Sequence, residues 1–262
     1  TLTANSDRNP MTKENPMKNP FSDLLVVSVE QALAAPLCTS RLVDMGARVI
    51  KIERAGGDFA RGYDAAVDGE SSYFVWTNQG KESEVLDLKS EKDVALMSRL
   101  LAKADVFVQK LTPGAMARAG FASDEMRKKH PRLITCDISG YGEAGPASKL
   151  KAYDFLVQAE AGLVDVSGAP DGLGRIGVSI CDIGAGMTAH AAIVEALFYR
   201  ERTGEGYGVS VSLFGVASEW MNVPLMQYEY GGKAPRRVGP YQTDVWLKLW
   251  QHSLRSPTEP GR

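Results

Sequence analysis

The chain has 262 residues, 44% hydrophobic and 24% charged, an ordinary globular composition that suffices for one large domain. Its formal net charge of −2 supplies no basic field for nucleic acid. No run of about 18 uninterrupted apolar residues reads as a membrane span.

The first stretch, "TLTANSDRNPMTKENPMKNP", is polar and rich in Pro and Asn, without the apolar core of a secretory signal. Residues 1–20 are expected to be a disordered or untranslated tail, with Met11 and Met17 as candidate start residues. "DLLVVSV" (23–29) is a β-branched apolar run and reads as a buried strand. "APLCTSRLVDMGA" (35–47) has helical spacing with a Gly near its end, and "RVIKIER" (48–54) alternates as a second strand. That order is β-α-β, which implies a parallel pair with a right-handed crossover. A Gly/Asp-rich loop follows, then "SYFVWTNQGKESEVLDLKS", read as short strand material around a turn.

"EKDVALMSRLLAKA" (91–104) is amphipathic and helical, "DVFVQKL" (105–111) a strand, and "GAMARAGFASDEMRKKHP" helical up to Pro131. "RLITCDISGYG" (132–142) is a strand running into glycines, and "AYDFLVQAEAGLVDVSG" starts as a helix. "GRIGVSI" (174–180) reads as a strand, followed by a helix over 185–202 closed by "TGEG". "YGVSVSLFGVASEWMNVPLMQY" adds a strand and a long helix. This alternation predicts an α/β, Rossmann-like, doubly wound and mostly parallel sheet over residues 21–223. Residues 224–262 break the pattern and are expected to be a linker and the beginning of a second, smaller domain that is cut short.

Cys38, Cys136 and Cys181 have no close pair spacing, and an odd count without a signal segment reads as reduced thiols in the cytoplasm. His130, His190 and His252 are scattered, so no metal site is expected. "GAGMTA" (184–189) fits the G-x-G-x-x-A dinucleotide fingerprint between a strand and a helix. Against it, Asp182 just ahead of the glycines would repel a pyrophosphate, and the next strand ends without an acid for a ribose hydroxyl.

Asp182 itself has two readings. It can cap the helix that follows, accepting backbone N–H bonds at a positive helix terminus. The same placement, with glycines allowing close approach, suits a carboxylate that attacks an acyl group and forms an anhydride. Asp154 likewise reads as a cap, and Tyr153 as a packed aromatic or a donor into a cleft. Arg54, Lys89, Arg118 and Lys151 follow strands or turns; each is a surface cation by default, and together in one cleft they would bind phosphates.

Taken in order, several stretches resemble the family III CoA transferases, the group that includes formyl-CoA transferase and α-methylacyl-CoA racemase. They are "VVSVEQALAAPLCTSRLVDMGARVIKIERAGGDFAR", "SSYFVWTNQGKESEVLDLKS", "ADVFVQKLTPGAMARAGF", "PRLITCDISGYGEAGP", "AYDFLVQAEAGL" and "GVSICDIGAGMTAHAAIVEALFYRERTGEGYGVSVSLF". The resemblance runs from about Pro20 to Gly239. It implies that Asp182 is the catalytic aspartate. Asp182 would attack the donor thioester to give a mixed anhydride and CoA thiolate, and the thiolate would convert the anhydride to an aspartyl-CoA thioester. The acceptor carboxylate would then be acylated, and CoA would leave Asp182 for it. Backbone amides beside Gly184 and Gly186 are candidate donors for the oxyanions.

Carried over position by position, Gln31 and Ala32 match a CoA-contacting turn and Arg54 a residue near the adenosine phosphates. Leu86 to Lys89 match the adenine end, and Arg118 and Lys151 further CoA contacts. Tyr73 and Tyr153 match aromatic positions beside the acyl group. The resemblance implies coenzyme A as a substrate with no permanently bound cofactor, an acyl-CoA and a small carboxylic acid as partners, and an interlocked homodimer of longer chains.

"GDFARGYDAAVDGESSYFVWTNQGKES" looks like members acting on C4–C5 dicarboxylates, such as mesaconyl-CoA C1–C4 transferase, and Arg61 is a candidate partner for the second carboxylate. The alternative within the family is a 2-methylacyl-CoA racemase. Racemases place His before the acid that here is Asp154; Tyr153 stands there, and a phenol with a pKa of about 10 is a poor proton shuttle at neutral pH. A further alternative is an inactive CoA-binding fragment, because "YQTDVWLKLWQHSLRSPTEPGR" departs from the family pattern and reads as a truncation.

Overall fold

The computed structural model of the chain describes residues 19–237 and 239. Residues 1–18 of the tail expected over 1–20, and the stretch from 240 onward, lie outside the described residues. Strand β1 (Leu25–Val29), helix α1 (Ala34–Asp44) and strand β2 (Arg48–Glu53) form the expected opening unit. Helix α2 (Ser72–Asn78), β3 (Glu82–Val85), α3 (Glu91–Leu101), β4 (Val106–Gln109), α4 (Ala115–Arg118), α5 (Ser123–Lys129) and β5 (Ile134–Ser139) follow. After α6 (Asp154–Glu160) and α7 (Leu163–Val166) come a two-residue antiparallel pair, β6 (Gly168–Ala169) with β7 (Gly172–Leu173), and the long α8 (Ile180–Thr203). Strand β8 (Gly208–Ser212), α9 (Leu213–Trp220) and α10 (Asn222–Gly231) complete the described elements.

Six strands form one sheet in the order β3-β2-β1-β4-β5-β8, and every pairing in it is parallel. The chain winds outward from β1 to β3, then crosses back to lay β4 on the other side of β1. That reversal is the topological switch point of a doubly wound fold, where ligands bind beyond the carboxyl ends of the strands.

Both faces of the central strands β1, β4 and β5 are covered, which is why these are largely apolar runs, whereas the edge strand β3 (ESEV) is exposed. Successive residues alternate faces. Val26, Val106 and Val108 join a core with Cys38 and Leu42 of α1 and Ala189 and Ile193 of α8. Val27 and Phe107 join a second core with Met97 and Leu101 of α3 and Met126 of α5. Burying each of the larger of these side chains contributes about 1.5–3 kcal/mol.

Three expectations are corrected. Residues 72–78 are helical, although their aromatic and β-branched composition suggests a strand. Asp64 fixes the helix start, its carboxylate accepting the Ser72 N–H at 2.9 Å and hydroxyl at 2.7 Å. Residues 174–180 are not a strand; they run in as a loop, and α8 begins at Ile180, not at 185. "GAGMTA" therefore lies inside a helix, without the strand-to-helix turn a dinucleotide fingerprint needs. The long helix expected after β8 is two, broken at Met221.

By length and composition α8 could cross a membrane. Here it is a core helix, packed on α1 and α9 through Cys181, Ala185, Ala189 and Ile193.

Candidate active site

A cavity of about 590 Å³ opens at the carboxyl ends of β1, β2 and β3 and beside the start of α4. Gln31, Arg54, Leu86, Leu88, Lys89 and Arg118 all line it, so residues spread over nearly ninety positions of sequence meet at one place. Ala32 stands beside Gln31 in the β1–α1 turn with φ +65, a conformation that L-residues rarely adopt. Its N–H donates to Asp58 Oδ1 at 3.1 Å, which holds the turn. Lys151 stands apart, exposed on the loop before α6 and outside the cavity lining.

The charge in the cavity is biased by pairing. Of its four acids, Glu30 is paired with Lys81 at 2.7 Å, Asp58 with Lys51 at 2.6 Å and Glu53 with Arg61 at 3.0 Å, while Asp87 has no ion pair among the described residues and accepts the Lys89 N–H at 3.0 Å. Among the described residues Arg54, Lys89 and Arg118 have no such ion pair. The cavity is thus left with cations free to meet phosphates.

Asp182 occupies the first turn of α8 and, among the described residues, its side chain caps no backbone N–H. The capping carboxylate comes from another helix: Asp154 Oδ1, at the start of α6, accepts the N–H of Cys181 at 2.7 Å and of Asp182 at 3.3 Å. Asp154 Oδ2 accepts from Gln158 Nε2 at 2.6 Å. The buried Gln158 in turn accepts the Ile176 N–H at 2.9 Å, which fixes the loop entering α8. With its backbone so anchored, the Asp182 side chain is released from capping and meets Lys110 Nζ at 2.7 Å. Lys110 directly follows β4, and its neighbours Leu111 and Thr112 line the cavity.

Tyrosines gather on the same side. Tyr63 and Tyr73 meet edge to face with ring centroids 5.6 Å apart. Tyr73 Oη lies 3.5 Å from Ser179 Oγ, at the residue preceding α8. Burial first, then the charges of Asp182 and Asp58 and the neighbouring Tyr153 and Tyr73, push the Tyr63 phenol up to about 12. It is therefore a protonated donor at neutral pH. Burial and the flanking carboxylates of Asp154 and Asp182 likewise push the Cys181 thiol up to about 12, which removes it as a rival nucleophile. A second, mostly apolar recess of about 300 Å³ lies against Tyr73, Ser179, Leu33 and Trp76.

Two groups of expected site residues are engaged elsewhere. The Arg61 guanidinium is paired with Glu53 through Nη2 and stacked 3.8 Å from the centroid of the Phe74 ring. Gly184 and Gly186 lie inside α8, where backbone N–H groups bond the carbonyls four residues back and are not spare for an oxyanion. Their role is packing. A Cβ on Gly186 would sit 2.6 Å from the Ala34 carbonyl oxygen of α1, and one on Gly184 would collide with the Trp220 ring of α9.

Sequence reading missed Lys110, Tyr63 and Ser179 and gave Asp154 the wrong helix to cap. Only Tyr63 carried a signal, lying in the Gly/Asp-rich loop that also holds Asp58 and Arg61.

The chain's similarity to known proteins falls on this same frame. The family model described as CoA-transferase family III matches residues 21–248, continuing past Gly239, where the resemblance was expected to stop. An acetyl-CoA:oxalate CoA-transferase of Acetobacter aceti is 42% identical over 234 residues, 87% of this chain and 60% of that protein. A succinate–glutarate CoA-transferase of Agrobacterium fabrum is 36% identical over 238 residues, with the same two coverages. The crystal structure of a CAIB/BAIF family protein from Brucella suis superposes with a TM-score of 0.79 at 35% identity, covering 84% of this chain and 60% of that one. The chain thus spans about three fifths of the length of these relatives.

Proposed function

The chain belongs to CoA-transferase family III, and from that premise we propose that it carries the CoA site and the nucleophile of an enzyme moving CoA from an acyl-CoA to a dicarboxylic acid. The observation that carries this reading is the junction of two features: a phosphate-ready cavity, and a carboxylate at the start of α8 whose partner Lys110 directly precedes the cavity-lining Leu111. CoA would lie over the strand ends with its phosphates among Arg54, Lys89 and Arg118 and its adenine against Leu86 and Leu88. Its thioester would then reach Asp182.

In the reaction we infer, an Asp182 oxygen forms a bond to the acyl carbon, the C–S bond breaks, and sulfur leaves as thiolate. The thiolate adds to the aspartyl carbonyl of the anhydride, and the donor acid departs as its carboxylate, leaving an aspartyl-CoA thioester. The acceptor acid displaces CoA from that thioester, forming a second anhydride, and the thiolate then attacks the acceptor's own acyl carbon and frees Asp182. Protonated Tyr63 can donate to an oxyanion in these steps.

Relatives named for oxalate, succinate and glutarate support a dicarboxylate as acceptor, and a C4–C5 acid is the size we favour. The exposed apolar side chains of α10, Leu225, Met226, Tyr228 and Tyr230, are consistent with the interlocked homodimer expected for the whole protein.

The test uses the whole protein with succinyl-CoA and a panel of acids: oxalate, glutarate, mesaconate and itaconate. Chromatography should show a new CoA ester with at least one of them, and D182N should abolish it. Proton exchange at the acyl α-carbon without ester exchange would instead identify a racemase.

A further inference from the structure

The ion pair between Lys110 and Asp182 has no part in the steps above. We propose that Lys110 is a further catalytic residue of that site: a fixed cation that stays with the negative charge as it passes from Asp182 to sulfur and on to the departing carboxylate. The proposal rests on the acyl-transfer reading.

Three observations carry it. First, the pair is open where comparable pairs are sealed. The side chains of Lys51–Asp58 and of Lys81–Glu30 are 2% and 0% exposed in each pair, whereas Lys110 and Asp182 are 20% and 14% exposed. Second, each sealed lysine has a further hydrogen-bond partner besides its acid, and Lys110 does not. Lys51 also donates to Asn78 and Lys81 also to the Pro36 carbonyl, while Asp182 is the one partner of Lys110 Nζ among the described residues. An ammonium has three donors, so Lys110 keeps donors for an incoming group. Third, Lys110 is bracketed by the two halves of the site. Its side chain reaches Asp182, and the next residues, Leu111 and Thr112, line the cavity.

Each step conserves one negative charge. When Asp182 attacks, the carboxylate charge disappears into a neutral anhydride and reappears on sulfur as the C–S bond breaks. When the thiolate adds to the aspartyl carbonyl and the C–O bond breaks, the charge moves to the released carboxylate. Lys110 keeps its proton throughout and changes only the anion it faces. A preorganised cation of this kind needs no reorganisation as the charge develops. A sealed structural pair would be left with an uncompensated buried ammonium as soon as its acid was acylated.

The experiment follows adduct formation on the whole protein with acyl-labelled succinyl-CoA, rapid quenching and peptide mapping. Wild type is expected to carry the label on Asp182; no label there overturns the acyl-transfer reading itself. With labelling in wild type established, K110M should slow it about a hundredfold and change KM by no more than about threefold. K110R should recover to within about tenfold of wild type. K110A should be accelerated by added ethylammonium, a readout on a single folded preparation that a packing role would not move. K110M labelling at the wild-type rate, or K110R and amine-treated K110A no faster than K110M, would overturn the role of Lys110.

Discussion

The cavity and the Asp182 cradle adjoin, yet they are built by different devices. The cavity is a product of sheet topology. Parallel strands end together at the switch point, and the segments that follow them meet there, so Gln31, Arg54, Lys89 and Arg118 converge on one cavity. The cradle is a product of side-chain capture. Asp154 holds the first turn of α8 from a different helix, Gln158 holds the loop before it, and Lys110 reaches in from β4. A site made by topology tolerates loss of one member; a site made by capture depends on each link. Binding and chemistry should therefore separate under mutation.

The sharpest way to break that distinction is D154A. It leaves the N–H groups of Cys181 and Asp182 without their acceptor and should lower stability by about 1–2 kcal/mol. The freed turn misplaces the nucleophile, and kcat should fall about a hundredfold with KM for the CoA ester nearly unchanged. D154N keeps an acceptor oxygen and should recover much of the stability. Equilibrium urea unfolding and steady-state kinetics on the whole protein check both; a D154A that raised KM and kept kcat would erase the distinction.

R118A probes the other side. One cation among three is lost from an open cavity, so KM for the CoA ester should rise about tenfold while kcat holds. The effect should shrink as ionic strength rises, because an exposed cation is screened. A large fall in kcat would mean that Arg118 positions the thioester and does more than bind phosphate.

The same division explains what the sequence disclosed. The α/β class, the doubly wound order and the strand-end cations were readable, because buried parallel strands are continuous apolar runs and the residues after them face one edge. The cradle was not readable. Residues 174–180 have strand composition, yet Gln158, far off in sequence, satisfies the Ile176 N–H and no ladder forms. "GAGMTA" satisfied a fingerprint for an unrelated reason, since Gly186 lets α8 approach the Ala34 carbonyl of α1. Asp182 looked like a cap because Asp154, 28 residues earlier, was assigned only to its own helix. Each of these misses is a contact between residues distant in sequence, which local pattern does not encode.

The smallest expected effect concerns Glu53, where the cavity wall itself relies on capture. Burial pushes its carboxyl up, but hydrogen bonds from Ser83, Arg61 and the Asp58 N–H, with the charge of Lys51, outweigh that and hold it below its ordinary 4.5. A carboxyl depressed in the folded state binds fewer protons there than in the unfolded chain, so its contribution is complete above the unfolded value and is lost as pH falls through the folded one. Wild-type stability should therefore drop on the acid side of pH 4.5. E53Q, which cannot titrate, should lack that part of the slope, and its single acceptor oxygen can replace only one of the two that receive the Ser83 hydroxyl and the Asp58 N–H. Urea midpoints collected from neutral pH down to the acid limb check this. Parallel curves for the two proteins would mean that the Glu53 contacts do not favour its charged form, and that the wall, like the rest of the cavity, is set by topology alone.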